Sequence, residues 1–192
     1  MAHTLNLVVL FSGKGSNLET LIERFHRKKI GEREVRVFAV TNRPNAGGIA
    51  RARHYGIEPI VLDHTLFASR EEFDEMLADT VASLRPDLVV MAGFMRILTP
   101  RFTERIEAIN LHPSLLPLFR GTRAIEKSFK SGMKVGGVTV HRVTAELDSG
   151  EILDQACVKI EPIDTIESFT EKIHRVEHTL LPDVVERLLS SL

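Results

Sequence analysis

The stretch Leu5-Asn-Leu-Val-Val-Leu-Phe11, followed by Ser12-Gly-Lys-Gly-Ser-Asn17, decides the fold of this 192-residue chain. Its first part is a short apolar run rich in branched residues, which is typical of a buried strand. The period then changes, because apolar residues recur at helical spacing between Leu18 and Phe25, and Ser16 is available as a helix cap. The sequence therefore predicts a strand, a glycine loop and a helix.

The same alternation continues outward from this unit. Further buried strands are predicted at Val35–Thr41, Pro59–Leu62 and Leu88–Ala92, and helices at Ile49–His54 and Arg70–Leu84, the latter with Phe73, Met76, Leu77 and Leu84 on its apolar face. Strands that alternate with helices indicate parallel strands joined by crossover helices. We therefore expect an α/β fold, with a doubly wound, mostly parallel sheet and helices on both faces.

The second half of the chain adds a C-terminal β-hairpin and a long helix. A helix at Arg123–Ser131 precedes strands at Gly136–Val143 and Ile152–Ile160, in which Cys157 is expected to lie in the core. The last helix begins near Thr165, and Pro182 is a candidate position for a kink or a break. No repeat or long linker interrupts the pattern, so residues 1–192 are expected to form a single domain.

Composition excludes several classes of function. The chain has 25 basic and 26 acidic residues and a net charge of -1, so we expect no attraction for nucleic acid or acidic membranes. No apolar stretch approaches the ~20 residues of a membrane span. The single cysteine cannot form an intramolecular disulfide, and no Cys/His cluster has the spacing of a metal site. A cytoplasmic protein without a metal is expected.

The glycine loop between the first strand and helix is a candidate anion site. Backbone N–H groups at a helix start, the helix dipole and small residues suit a phosphate at Gly13, Gly15, Ser16 and Asn17. Leu18 stands where a dinucleotide fingerprint needs glycine or alanine, and the glycine spacing is too short for a nucleotide-triphosphate loop. The alternative interpretation is a plain strand-to-helix turn with Ser16 as its cap.

A second candidate site lies in the segment Ala108–Pro117. Strand alternation places Asn110 and His112 on the same side, and an amide donor beside an imidazole suits acyl-type transfer. Attack of an amine on a formyl carbon creates an oxyanion, which the Asn110 amide and a protonated His112 could stabilise. A carboxylate that removes the amine proton through water completes the requirement. Asp148 is our candidate, and Glu146 is its local competitor.

Each of these residues also has a purely structural interpretation. A histidine before Pro113 could cap a turn, Asn110 could be a polar strand end, and Asp148-Ser-Gly150 is ordinary turn chemistry. The residues alone do not separate the two interpretations.

Four motifs taken together resemble those of one known family. Ser12-Gly-Lys-Gly-Ser-Asn-Leu18, Ala92-Gly-Phe-Met-Arg-Ile-Leu98, Asn110-Leu-His-Pro-Ser-Leu-Leu-Pro117 and Val143-Thr-Ala-Glu-Leu-Asp-Ser-Gly150 are similar, in order, to the motifs of the folate-dependent phosphoribosylglycinamide formyltransferase family. The resemblance spans nearly the whole chain. It implies transfer of the formyl group of 10-formyltetrahydrofolate, a cosubstrate, to the amine of glycinamide ribonucleotide in purine biosynthesis.

The resemblance also implies a role for individual residues. Asn110, His112 and Asp148 would form the catalytic trio, Gly15, Ser16 and Asn17 would hold the substrate phosphate, and Glu177 would lie near the ribose or amine. The folate pocket would be lined by Arg70, Met95, Arg96, Ile97, Leu98, Val143 and Asp148. Residues 1–100 would then be the phosphate-binding half of the domain and residues 101–192 the catalytic and folate-binding half. The partners would be these two small molecules, with the chain a monomer or homodimer.

One stretch departs from the family pattern. Leu118–Ile125 lacks the family's usual Lys-Tyr-Pro-Gly-like segment, and Phe119-Arg-Gly121 is more similar to methionyl-tRNA formyltransferases. Three alternatives therefore stay open. They are a formyltetrahydrofolate hydrolase, another small-substrate N-formyltransferase and, in a different class, a non-catalytic nucleotide-binding domain.

Overall fold

A computed structural model describes residues 4–192 of the chain. Eight strands occur within these residues, β1 Leu5–Phe11, β2 Lys29–Ile30, β3 Arg33–Thr41, β4 Ile60–Val61, β5 Leu88–Met91, β6 Ile109–His112, β7 Val135–Arg142 and β8 Ile152–Lys159. The helices are α1 Ser16–Phe25, α2 Gly48–His54, α3 Arg70–Ser83, α4 Pro100–Thr103, α5 Ala124–Lys130 and α6 Ile166–Ser190, with a 3₁₀ turn at His64–Leu66.

The strands form one mixed sheet in the order β2-β3-β1-β5-β6-β7-β8, with β4 paired to β3. Pairing is parallel from β4 through β3, β1 and β5 to β6. It becomes antiparallel from β6 to β7 and from β7 to β8. The expected doubly wound sheet with an added hairpin is therefore confirmed, and β6 is the strand at which the pairing changes direction.

Helices pack on both faces of the sheet because inward side chains alternate along each strand. On β1, Leu7 and Val9 belong to the apolar cluster that includes residues of α1, α2 and α6, whereas Val8 and Leu10 belong to the cluster built with α3 and α4. Helix α6 contributes apolar residues such as Phe169 to the first cluster. It supplies more of this cluster than any other element in the second half of the chain. The second cluster ends near β6, so no helix of that cluster covers the same face of β6 and β7.

The structure corrects three details expected from the sequence. Ser16 is the first helical residue and not the cap, because Gly15 occupies the cap position in a left-handed conformation. Met76 is 45% exposed, and Ala78 and Val81 complete the buried face of α3 instead. Cys157 is exposed, since the neighbouring Val158 takes the inward position of β8.

Pro182 neither divides nor ends the last helix. It lies inside α6, which runs without interruption from Ile166 to Ser190, and its ring is buried against the core. Thr165 caps the start of this helix through a reciprocal pair of bonds with Ser168. Among residues 4–192, no helix is long and apolar enough to cross a bilayer.

Candidate active site

The glycine loop is shaped by a close approach between two backbones. Gly15 has φ of 75°, and a Cβ at this position would lie 2.5 Å from the Cα atom of Gly48 at the start of α2. The Gly48 N–H group also donates a hydrogen bond to the Gly13 carbonyl oxygen at 3.0 Å. The loop therefore presents its backbone at the start of α1 with no side chain at Gly15, as an anion site requires.

Glu177 of α6 lies against this loop, although the two are far apart in sequence. The Asn17 amide nitrogen donates to Glu177 Oε2 at 3.0 Å, and His174 Nδ1 lies 2.9 Å from the same oxygen. Glu177 is only 5% exposed. The structure thus brings the predicted phosphate residues and the predicted ribose or amine residue together, and adds His174, which the sequence analysis had not selected.

The hydrogen bond that His174 donates to Glu177 raises the pKa of His174, although partial burial and the charge of Lys14 oppose the shift. A second histidine, His178, has its pKa lowered chiefly by burial. The pKa values of the two histidines of α6 are therefore shifted in opposite directions, and the histidine with the raised pKa is the one that contacts Glu177.

Asn110 and His112 lie on the sheet face that the helices leave uncovered. Ile109 and Leu111 point into the cluster formed with α6, so the alternation predicted for β6 is confirmed. The antiparallel register sets His141 of β7 directly opposite Asn110. The Asn110 amide nitrogen lies 3.1 Å from His141 Nε2, and His141 Nδ1 lies 2.8 Å from the Arg142 carbonyl oxygen.

These contacts link the His141 ring to the Asn110 amide. If Nδ1–H donates to the Arg142 carbonyl, Nε2 of the neutral ring is an acceptor for one N–H of the Asn110 amide. The second N–H of Asn110 then remains available. His141 was missed by the sequence analysis, although its position in a predicted strand opposite β6 was the available signal.

Asp148 reaches the same group from the loop between β7 and β8, which folds back across the sheet face. Its Oδ2 atom lies 3.4 Å from His112 Nδ1, and its Oδ1 atom lies 3.6 Å from His141 Nε2. The Gly121 N–H group donates to Oδ2 at 2.8 Å. His112, His141 and Asp148 are 6%, 2% and 8% exposed, so this group is a buried polar network and not a surface cluster.

Burial acts to raise the pKa of Asp148, but other interactions outweigh it. The adjacent His141 ring, the hydrogen bond from the Gly121 N–H and the adjacent His112 ring hold the pKa of this carboxyl below its ordinary value. Asp148 is therefore an ionised carboxylate at neutral pH.

The loop after β6, which departs from the family pattern, contacts His112 directly. The Phe119 carbonyl oxygen lies 3.0 Å from His112 Nε2, and Phe119 has φ of 57°. A protonated His112 has one hydrogen for this carbonyl and one for Asp148. Glu146, the competing carboxylate, instead pairs with Arg120 at 3.1 Å and is 74% exposed at its side chain.

The residues predicted for the folate pocket lie on and around the loop after β5. Arg70 donates to the Ile97 carbonyl oxygen at 2.5 Å, and the guanidinium of Arg96 lies 4.6 Å from the centre of the Phe73 ring. Leu98 is buried, whereas Met95 and Ile97 are 64% and 50% exposed. Val143, at the other side, donates its N–H to the Ala108 carbonyl oxygen at 2.8 Å.

Exposed apolar side chains concentrate on the loops that border this group. Besides Met95 and Ile97, Leu118 of the loop after β6 and Leu147 of the loop before β8 are 44% and 40% exposed. Single exposed apolar residues are common, but several around a buried polar network suit a ligand with a flat apolar ring. Within residues 4–192, no group of side chains has the arrangement of a metal site.

Comparisons with known proteins agree with this geometry. The family model for formyl transferase matches residues 5–185, so the chain belongs to the formyl transferase family. Within that family it groups with the phosphoribosylglycinamide formyltransferases. The crystal structure of that enzyme from Campylobacter jejuni has a TM-score of 0.94 and 46% identity, covering 99% of this chain and 100% of the other.

Curated relatives fall into two classes by length. The phosphoribosylglycinamide formyltransferase of Escherichia coli is 38% identical over 183 residues, which cover 95% of this chain and 85% of the relative. The trifunctional purine biosynthetic protein adenosine-3 of Drosophila melanogaster is 38% identical over 186 residues, which cover 96% of this chain. The chain spans only 14% of the length of that trifunctional relative.

Proposed function

We propose that this chain transfers the formyl group of 10-formyltetrahydrofolate to the amine of glycinamide ribonucleotide in purine biosynthesis. The observation that carries the proposal is the buried network of Asn110, His141, Asp148 and His112, beside a glycine loop suited to phosphate. Among its members, Asn110, His112 and Asp148 act on the reacting atoms, and His141 orients Asn110.

The chemistry follows from the donors and acceptors of this network. When the substrate amine attacks the formyl carbon, the carbonyl oxygen becomes an oxyanion, to which the free N–H of Asn110 donates and which the positive charge of a protonated His112 stabilises. Asp148, ionised at neutral pH, accepts the amine proton through water. The bond between the formyl carbon and the folate nitrogen then breaks, and that nitrogen takes up a proton. No metal is needed.

The glycine loop and α6 hold the ribonucleotide. Gly15, Ser16 and Asn17 bind the phosphate through backbone N–H groups at the start of α1, where the helix dipole favours an anion. Glu177, held by Asn17 and His174, accepts hydrogen bonds from the ribose or the amine. A carboxylate accepts hydrogen bonds from such donors and repels a phosphate, so Glu177 recognises a different part of the substrate from the glycine loop.

The folate lies against the loop after β5. Met95 and Ile97 provide exposed apolar area for its ring, with Arg70, Arg96, Leu98 and the backbone from Val143 to Asp148 completing the pocket. Pocket residues therefore come from both sides of residue 100. We propose that residues 1–192 function as one domain, because the sheet is continuous from β5 to β6 and Asn17 contacts Glu177. A cytoplasmic monomer or homodimer is sufficient for this chemistry.

The catalytic assignment is tested by two substitutions. We expect Asp148→Asn and His112→Ala each to lower kcat by ~10²-fold or more, because each removes a group that acts in the transition state. Both proteins should remain folded by circular dichroism and should bind glycinamide ribonucleotide as the unchanged protein does. A near-normal rate in either variant contradicts the assigned roles.

The overall reaction is tested by mixing both substrates and following tetrahydrofolate and the formylated ribonucleotide. Equal formation of the two products supports formyl transfer. Folate turnover that does not require the ribonucleotide indicates the hydrolase alternative. Affinity for a nucleotide such as ATP or NAD with none for folate indicates a nucleotide-binding domain without this activity.

A further inference from the structure

A buried hydroxyl joins the glycine loop to the loop after β5. Ser12, only 2% exposed, accepts a hydrogen bond from the Met95 N–H at 2.7 Å and donates to Asn42 Oδ1 at 2.5 Å. Its own N–H donates to the Gly93 carbonyl oxygen at 3.1 Å. The backbone and the side chain of Ser12 therefore both contact the loop after β5.

Ser12 stands immediately before the residues proposed to bind phosphate. It follows β1 directly and leads into Gly13-Lys-Gly-Ser-Asn17, while Met95 belongs to the segment proposed to bind folate. The two binding segments thus share one hydroxyl group, although 83 positions separate Ser12 from Met95. Because Ser12 is buried, it acts through these segments and does not touch either ligand.

The rest of the loop after β5 is held by one face of α3. Arg70 contacts the Ile97 carbonyl, Phe73 lies under Arg96, and Asp74 Oδ2 accepts the Thr99 N–H at 2.6 Å. Positions 70, 73 and 74 lie on one side of a helix. The residues from Arg96 to Thr99 are thereby fixed to α3, which is a rigid element. The earlier residues Gly93 and Met95 contact Ser12, which links them to the glycine loop.

Asn42, which accepts the hydrogen bond of the Ser12 hydroxyl, is also held in place. Asn42, 1% exposed, follows β3, and its carbonyl oxygen lies 2.8 Å from His64 Nδ1 in the 3₁₀ turn. The acceptor of the Ser12 hydroxyl is therefore not free to follow a moving loop. A displacement of Ser12 by a ligand on one segment must be transmitted to Met95 or break a buried hydrogen bond, which costs about 1–3 kcal/mol, or roughly 5- to 150-fold in an equilibrium constant.

We propose that Ser12 is a positioning residue that couples the two substrate segments, so that a bound ribonucleotide strengthens folate binding and the reverse. The inference rests on the proposed function, because it assumes that the two segments bind these two ligands. The coupling is reciprocal, since each ligand must change the affinity of the other by the same factor.

The coupling is measured with tetrahydrofolate and glycinamide ribonucleotide, which cannot react together because no formyl group is present. Titration calorimetry gives the Kd of tetrahydrofolate with and without saturating ribonucleotide. For the unchanged protein we expect binding to be about 5-fold tighter or more with the ribonucleotide, the lower end of typical coupling. For Ser12→Ala we expect the ratio of the two Kd values to fall to about 1.

Matched variants separate coupling from a general loss of structure. Ser128→Ala removes another hydroxyl of a serine that is 2% exposed, but on α5, and should leave the ratio unchanged. Asn42→Ala removes the acceptor of the Ser12 hydroxyl and should reduce the ratio even if Ser12→Ala folds poorly. Circular dichroism and the thermal midpoint establish that each protein is folded.

The outcomes distinguish this inference from the proposed function. If the unchanged protein forms formylated ribonucleotide but shows no coupling, or if Ser12→Ala and Asn42→Ala keep the full ratio, the role of Ser12 is refuted while the activity stands. If the unchanged protein binds neither ligand, the proposed function itself fails, and the role of Ser12 fails with it.

Discussion

The amide of Asn110 has two N–H groups, and the contact with His141 occupies one of them. Orientation of the other N–H thus depends on a residue that does not touch the substrate. We expect Asn110→Ala and His141→Ala each to lower kcat by about 10²-fold, the usual cost of losing an oriented oxyanion donor. Because the two residues act as a unit, the double variant should cost little more than either single change.

The measurement is steady-state kcat for the two single variants and the double variant. Thr139→Ser, on the same face of β7 but paired with His112, keeps its hydroxyl and provides a matched control that should retain most activity. Losses that multiply in the double variant would show that Asn110 and His141 act independently.

A second residue-scale prediction concerns the charge of His174. Its pKa is raised above 6.5 by the hydrogen bond to Glu177, so Glu177→Gln should lower it. Because the pKa of His174 is raised in the folded protein, its hydrogen bond to Glu177 contributes its full stability at pH values below the pKa of the unfolded chain. That contribution is lost as the pH rises through the pKa of the folded protein. Titration of the histidine ring signals by NMR gives the pKa of His174 in the unchanged protein and in Glu177→Gln.

His26 is the internal reference for this titration. Burial lowers its pKa, and it lies at the end of α1 opposite the glycine loop, so Glu177→Gln should leave it unchanged. If the His174 pKa does not fall in the variant, Glu177 is not the cause of the shift.

At the residue scale, the sequence predicted some members of the network better than others. Strand alternation identified Asn110 and His112 as neighbours, because a period of two is a local property. Asp148 could be chosen over Glu146 only through the family resemblance, since both lie in one loop and its path is set by tertiary contacts such as the Gly121 bond. His141 required the register of β6 against β7, which is not a local property.

At the element scale, the start of α2 supports the glycine loop from behind. A Cβ at Gly48 would lie 2.5 Å from Phe11 Cε2 and 3.2 Å from the Gly15 Cα. We therefore expect Gly48→Ala to destabilise the protein by about 1–3 kcal/mol, as overpacking usually does, and to weaken ribonucleotide binding. Urea unfolding and calorimetric titration of the ribonucleotide measure the two effects.

Gly47 provides the matched control at the neighbouring position. It has a helical conformation, with φ of -60° and ψ of -26°, and a Cβ there would lie 3.4 Å from the Lys14 Cα. Gly47→Ala should therefore change stability by less than about 1 kcal/mol. Equal losses in both variants would mean that the close approach at Gly48 is not what shapes the loop.

Elements with strong hydrophobic periodicity were predicted well, whereas two of the short elements were missed. The strands β1, β3 and β5 and the helices α1, α3 and α6 follow from apolar runs and helical spacing in the sequence. The two-residue strand β2 and the four-residue helix α4 have no period of their own, because pairing with β3 and packing against α3 form them. Cys157 was misplaced since a strand pattern does not reveal which face is covered.

At the scale of the whole molecule, Phe169 joins three elements into one core. It is fully buried, its ring stacks on Phe129 of α5 at 5.6 Å, and a Cβ at Gly136 of β7 would lie 2.6 Å from its ring. Phe169→Ala should lower the free energy of unfolding by about 3–5 kcal/mol, because it removes a large buried ring and leaves a cavity. That is a large part of the total for a typical domain.

Urea unfolding measures this loss, with Ile163→Ala as its control. Ile163 is 90% exposed just before α6, so its truncation should change stability by less than about 0.5 kcal/mol. A loss below 1 kcal/mol for Phe169→Ala would show that α6 is not needed to complete the core.

The position of α6 in the chain has a consequence for biosynthesis. One sheet face is closed by residues 166–190, which the ribosome makes after every strand of the sheet. While the polypeptide is being translated, the growing chain therefore displays an apolar surface that no earlier segment can cover, and such surfaces attract chaperones or drive aggregation. Premature termination before Ile166 would yield a product prone to degradation, even though the glycine loop and the whole buried polar network had already been synthesised.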